Sequence, residues 1–218
     1  MPRAPRLEYP DALYHVTARG TRQEAIFLDD GDRASLLAVL ARTLKACDAC
    51  LFAYCLMGNH YHLVLQTRQA NLSVLMRRIN SVYCLMFNRR HNRSGHVFEG
   101  RYKALYVDRD AYLLAVCRYV DLNPVRAGLV ESPGRWAWSS YRANAGLLRP
   151  PPWLATVELH GVLIGAECEN GPPSALAGRR YADWVDAGRG GQLWKTSLRS
   201  GRYLGDKAFV ERIEQMGS

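Results

Sequence analysis

Apolar and polar positions alternate with two different periods along the chain, and the changes of period mark its elements. Leu13-Tyr-His-Val-Thr-Ala-Arg19 is rich in strand-forming residues with partial alternation, and Gly20 closes it, which predicts a first strand. Asp29-Asp30-Gly31-Asp32 supplies capping side chains, after which Leu36, Leu37, Val39, Leu40 and Leu44 recur at helical spacing to about Cys47. Two short apolar runs, Leu51 to Met57 and His60 to Gln66, flank the turn dipeptide Gly58-Asn59 and predict a hairpin. From Asn71, the positions Leu72, Leu75, Met76, Ile79, Val82, Tyr83, Met86 and Phe87 follow the rule of one helix face over four turns. Gly95 to Val107 reads as a loop and a fourth strand, Lys103 to Val107. Asp108 then caps a periodic stretch from Ala111 to Leu122 that Pro124 is expected to end.

The resulting order is strand, helix, strand, strand, helix, strand, helix. That order predicts an α+β fold, a ferredoxin-like split βαβ antiparallel sheet with packed helices. Residues 133–153 hold four of the ten prolines, including Pro150-Pro151-Pro152, which predicts a boundary between a main domain, 1–148, and a small helical C-terminal extension, 149–218. Helical patterns in the extension fall around Trp153 to Leu163, Leu176 to Val185 and Ala208 to Met216.

A chain of 218 residues with 48% apolar content can bury an ordinary core. It contains no apolar run long enough to span a bilayer and no apolar stretch behind the charged N-terminus, so a cytoplasmic, nucleoid-associated protein is expected. Six cysteines lie scattered, and the pair Cys47 and Cys50 has no second pair to complete a zinc site, so all are read as thiols. Charge changes the picture more. The net charge is +9, and residues 1–142 carry 20 basic against 12 acidic residues, so the polyanion-binding surface belongs to the main domain. Residues 68–103 are the most one-sided, with Arg68, Arg77, Arg78, Arg89, Arg90, Arg93, Arg101 and Lys103 against Glu99 alone, interleaved with Tyr83, Phe87, Phe98 and Tyr102. Such a mixture suits phosphates and bases, or equally a solvated helix face.

In the second hairpin strand, His60 and His62 point to one face about 7 Å apart while Tyr61 points to the other. Two imidazoles so placed can converge on one ion and leave positions open for water and substrate, as a catalytic metal requires. Standing alone, the same pair also suits two ordinary histidines. On the last predicted helix of the main domain, Tyr112, Val116, Tyr119 and Asn123 share a face. A tyrosine there is open to two readings, a covalent nucleophile or a core residue with its hydroxyl satisfied, and Asn123 precedes Pro124, where helical geometry is disfavoured.

Four blocks resemble, in order, signatures of the REP-associated tyrosine transposases of the HUH superfamily: Leu56-Met-Gly-Asn-His-Tyr-His-Leu63, Phe98-Glu-Gly-Arg-Tyr-Lys103, Arg118-Tyr-Val-Asp-Leu-Asn-Pro-Val-Arg-Ala-Gly-Leu-Val130 and Trp136-Ala-Trp-Ser-Ser-Tyr141. They cover roughly residues 8–142, and Tyr203 to Ile213 is similar to the C-terminal extension of longer members. The resemblance implies that 1–148 is a catalytic domain in which His60 and His62 bind Mg²⁺ or Mn²⁺, Asn123 is a third ligand and Tyr119 is the nucleophile. Gly58 departs from the proline usual in its block. The activity implied is cleavage and rejoining of single-stranded DNA beside hairpins such as REP palindromes, through a 5′-phosphotyrosine, by a monomer or homodimer. Arg19, Arg77, Arg78, Arg89, Arg90, Arg93, Arg101 and Lys103 are expected to contact DNA, with Tyr102, Trp138 and Tyr141 available for stacking. Three alternatives compete. One is a non-catalytic hairpin binder on the same scaffold, against which intact His60, His62 and Tyr119 argue. Another is a replication initiator or relaxase. The third is an RNA-binding protein using its sheet as an RRM does, for which no aromatic RNP-type motif is visible.

Overall fold

The computed structural model describes residues 8–165, 175–190, 198–199 and 202–216. Four strands, β1 (Ala12–Arg19), β2 (Ala49–Leu56), β3 (His60–Thr67) and β4 (Lys103–Val107), form the body of a sheet in the order β2-β3-β1-β4, antiparallel throughout. This is the split βαβ arrangement that the element order predicts. Helices α1 (Asp30–Ala46) and α2 (Leu72–Arg90) are the two crossovers. Their apolar stripes share one core with Tyr14, Val16, Ala18, Tyr61, Leu63 and Leu65 of the sheet.

The opposite face is covered by α3 (Arg109–Arg126), whose Leu113, Val116, Cys117 and Val120 pack with Leu13, Val64 and Val107. Strand alternation thus divides the molecule into two cores, and every inward choice along β1 and β3 decides which helix layer a side chain meets. A bulge in β2 between Leu51 and Ala53 interrupts that alternation, so Phe52 and Ala53 both face α3.

Pro124 does not end α3; the helix runs on to Arg126. A proline costs the bond that its missing N–H would have made to the Val120 carbonyl, but the end of this helix is held independently. Leu129 N donates to Pro124 O (2.9 Å) and Gly128 N to Val125 O (3.0 Å), with Gly128 at φ +68°. That is a Schellman closure on a left-handed glycine. Asn123 is therefore helical, on the face of Tyr119.

The C-terminal part is helical in α5 (Thr156–Ile164), α6 (Ala175–Asp186) and α7 (Lys207–Met216), after a short turn α4 (Tyr141–Asn144). It is also joined to the main sheet. Strand β6 (Tyr203–Leu204) adds parallel to β4, with β5 (Leu198–Arg199) beyond it. Helix α6 docks on α3 through two side-chain links: Tyr181 donates to the buried Asp121 carboxylate (2.7 Å), and the Arg118 guanidinium lies 4.2 Å from the centre of the Trp184 ring. Among the described residues, no helix is long and apolar enough to cross a membrane.

Candidate active site

On the α3 side of the sheet, β3 presents His60 and His62, and the antiparallel register sets Arg19 opposite His60 and Thr17 opposite His62. Two residues back from Thr17, His15 falls on the same face. Lys103 of β4 is paired with Thr17 and shares that face as well. The ring centres of His60 and His62 are 5.0 Å apart, and Tyr119 of α3 stands edge-on to His62 at 6.0 Å and to His15 at 5.7 Å. Arg126, two turns beyond Tyr119 on α3, places its guanidinium 5.2 Å from the centre of the phenol ring.

The loop after β1 wraps the hairpin tip and orients His60. Gly20 N donates to Asn59 O (2.8 Å) and Ile26 N to Gly58 O (3.1 Å). A Cβ at Gly20 would fall 2.2 Å from the Glu24 carbonyl oxygen, so only glycine permits this approach. A Cβ at Gly58 would meet nothing within 4 Å, so the tip does not depend on its glycine. Asn59 Nδ2 donates to the Gln23 carbonyl (3.0 Å), which turns its Oδ1 toward His60 Nδ1 at 2.7 Å. An amide oxygen only accepts, so the proton sits on His60 Nδ1 and the Nε2 lone pair is left for a ligand.

His62 is more deeply set. Its Nδ1 lies 3.0 Å from His15 Nε2, while its Nε2 is buried with no hydrogen-bond partner among the described residues. Burial holds both rings neutral: the His15 pKa is pushed down to about 4, and that of His62 falls well below the usual imidazole value through burial and then the neighbouring His15, His60 and Arg19. A buried ring nitrogen without a partner among the described residues, beside a second imidazole with its Nε2 available, is a donor set that fits a divalent cation once that nitrogen carries no proton. Asn123 donates Nδ2 to the Tyr119 carbonyl (3.0 Å), a bond that does not engage its Oδ1.

The residues expected to contact DNA fall on different faces of the molecule. Helix α2 packs on the far side of the sheet, and Arg77, Arg78, Arg89 and Arg90 go with it, so the run 68–103 is not one footprint. Arg90 is occupied by Asp29 and Asp32 at 2.6 Å each, and Arg93 by Glu24 at 3.0 Å. Tyr102 (7% exposed) and Tyr141 (6%) are core residues, one in each core, and cannot offer a ring face to a base. Trp138 is half-buried, with Arg33 against its ring. Arg101 is exposed next to Lys103. His15 and Asn59 carry no sequence signal of their own; His15 becomes visible only through the parity of β1 and its register with β3.

A four-stranded ferredoxin-like sheet with two histidines of one strand facing a helical tyrosine defines the class of the molecule. Residues 8–123 match the family described as Transposase IS200 like, more than half of the chain, and the protein belongs to that family. Among solved structures, a REP-associated tyrosine transposase bound to a REP hairpin is similar at TM-score 0.57 with 14% identity, over 71% of this chain and 92% of that one. A candidate transposase from Deinococcus radiodurans R1 is similar at TM-score 0.39 with 15% identity, over 55% of this chain and 95% of that one. No curated protein matches the sequence. The fold is that of the tyrosine transposases, as the sequence blocks imply.

Proposed function

We propose that this transposase cleaves and rejoins single-stranded DNA next to hairpins, with Tyr119 as nucleophile and His60, His62 and Asn123 as the metal-binding set. The observation that carries the reading is the meeting of the phenol ring of Tyr119 with the His62 imidazole across the sheet–helix boundary, beside a buried Nε2 that has no protein partner among the described residues. Bound there, Mg²⁺ or Mn²⁺ would withdraw charge from the scissile phosphate. The Tyr119 oxygen bonds to phosphorus, the bond to the 3′ oxygen breaks, and that oxygen leaves as a hydroxyl once protonated. The 5′ phosphate stays on tyrosine. A second 3′ hydroxyl attacking that ester restores the phosphodiester and the free phenol, so joining needs no nucleotide cofactor. Arg126 beside the ring would offset negative charge that develops around the phosphate in the transition state. Arg19 and Lys103, on the same face, supply positive charge for the backbone on either side of the bond.

A labelled single-stranded hairpin oligonucleotide incubated with the protein and Mn²⁺ tests the reading. A covalent protein–DNA adduct that needs both metal and Tyr119 is expected. Hairpin binding with no adduct under any divalent ion would favour a non-catalytic binder on this scaffold.

A further inference from the structure

We propose that His15 is a positioning residue for the metal pair: it accepts the Nδ1 proton of His62 and thereby holds His62 in the tautomer whose Nε2 lone pair is open to the ion. The inference rests on the reading of His60 and His62 as ligands and adds a residue to it that neither spacing nor sequence block singles out.

Two ring nitrogens 3.0 Å apart must share one hydrogen, and the sharing has two senses. If His15 donates, His62 uses its Nδ1 lone pair to accept and carries its own proton on Nε2, where it excludes a cation. If His62 donates, Nε2 is a lone pair and the cation can bind. The protein is built so that the second sense completes a consistent set. His60 already has its Nδ1 proton fixed by Asn59, whose amide is in turn fixed by Gln23. His15 does for His62 what Asn59 does for His60, and both rings then direct Nε2 into the site. Ligating histidines usually give their second N–H to a carboxylate or a carbonyl. Here the acceptor is a neutral ring, 5% exposed and nearly parallel to its partner at 10°. A carboxylate at that position would add negative charge beneath a site that must admit phosphate; an imidazole fixes the tautomer without it.

The geometry also explains why position 15 needs this side chain. His15 lies diagonally across the β1–β3 ladder from His62, two residues from the directly opposed Thr17. The diagonal reach to His62 requires a side chain of about imidazole length, which Gln shares, and the His15 ring stands edge-on to Tyr119.

The test uses the full-length protein with Mn²⁺ as the probe, free ion being followed by electron paramagnetic resonance, and compares wild type, His15→Phe, His15→Gln and His60→Ala. Phe keeps the ring and removes the acceptor; Gln places an amide oxygen near Nε2. His15→Phe is expected to weaken Mn²⁺ binding by about 10- to 100-fold, with His15→Gln recovering most of it and both metal-free proteins melting within a few degrees of wild type. A ring-nitrogen NMR spectrum of metal-free wild type should show His62 protonated at Nδ1. Wild-type affinity in His15→Phe, equal loss in His15→Gln and His15→Phe, or a His62 proton on Nε2 would each overturn the proposal. His60→Ala separates the two levels: if it binds Mn²⁺ as wild type does, the ligand reading itself fails, whereas weak binding there with unchanged His15→Phe rejects His15 alone. Should His15→Phe not fold, the wild-type NMR result and His15→Gln still decide.

Discussion

The phenol ring of Tyr119 meets the His62 imidazole edge-on, with ring centres 6.0 Å apart at 84°, although one residue belongs to a helix and the other to the sheet beneath it. Such contact would make the ring of the proposed nucleophile part of the wall of the proposed metal site, with its position set by packing before any substrate arrives. The Arg126 guanidinium also lies 5.2 Å from the centre of that ring. Removing only the hydroxyl therefore leaves both contacts in place.

Tyr119→Phe should abolish the covalent adduct while hairpin affinity stays within a few-fold of wild type and thermal stability is unchanged. Gel analysis of the adduct beside a binding titration checks this. An adduct that persists in the variant would move the nucleophile elsewhere on α3, with the half-buried Tyr112 the first position to examine.

His60→Ala and His62→Ala should each lower metal-dependent cleavage by roughly 10³-fold, since charge withdrawal from the phosphate is worth several kcal/mol. Most DNA affinity should survive, because it comes from phosphate contacts distributed over the basic face. Cleavage rates at saturating hairpin, measured with Mg²⁺ and Mn²⁺, report the effect. Normal rates in either variant would remove that residue from the metal set.

Most of the scaffold is legible in the sequence because β1 closes at Gly20, the hairpin turns at Gly58-Asn59 and the α2 stripe keeps one period. His60, His62 and Tyr119 were legible because two of them sit two apart on one strand and the third lies in a recognisable block. Their partners were not. His15 and His62 are 47 residues apart and Asn59 and Gln23 are 36 apart, distances that only strand register and loop wrapping close. Charge clustering along the chain does not become one surface, for a related reason. Arg77 and Lys103 belong to one basic run, yet the sheet passes between the helix of the first and the exposed face of the second. The end of α3 was misread because a Schellman closure outweighs one missing hydrogen bond at Pro124.

The division of charge by the sheet yields a test of the DNA path. Arg19→Ala with Lys103→Ala should weaken hairpin binding and flatten its salt dependence. The slope of log affinity against log salt should fall by about 0.7 for each single-strand phosphate that the variant no longer neutralises. Arg90→Ala should leave that slope unchanged and instead lower the melting temperature, because its guanidinium bridges Asp29 and the buried Asp32. Titrations at several salt concentrations, with melting curves alongside, separate the two. A flattened slope in Arg90→Ala and none in the Arg19, Lys103 pair would put the DNA on the α2 side.

The buried carboxyl of Asp121 should make stability depend on pH in a direction opposite to that of ordinary acidic residues. Asp121 lies between Tyr119 and Asn123 on α3, is fully buried, and is raised by that burial to about 7, even though hydrogen bonds from Tyr181 (2.7 Å) and Ser140 (2.9 Å) favour its ionised form. Tyr54, Cys55 and Cys117 face the same carboxyl and bring no positive charge to it. Because the folded state binds its proton more tightly than the unfolded state, this group contributes stability that is complete below pH 4. The contribution is lost as pH rises to about 7 and is flat above that. Its size is at most about 4 kcal/mol for a shift of this order. His15 acts with the opposite sign, since a neutral buried imidazole loses stability as pH falls from 6.5 toward 4, and His60, His62 and His160, whose pKa values burial also lowers, act in the same sense, so the wild-type profile does not isolate Asp121. The variant Asp121→Asn resolves it. Relative to wild type, Asp121→Asn should gain stability steadily between pH 4 and 7, with the difference constant above 7. Tyr181→Phe should remove a bond that favours the ionised form, steepening the wild-type loss and loosening α6 from α3. Melting temperatures of the three proteins across pH 4 to 8 measure this, and a wild-type minus Asp121→Asn difference independent of pH would mean that Asp121 is ionised throughout.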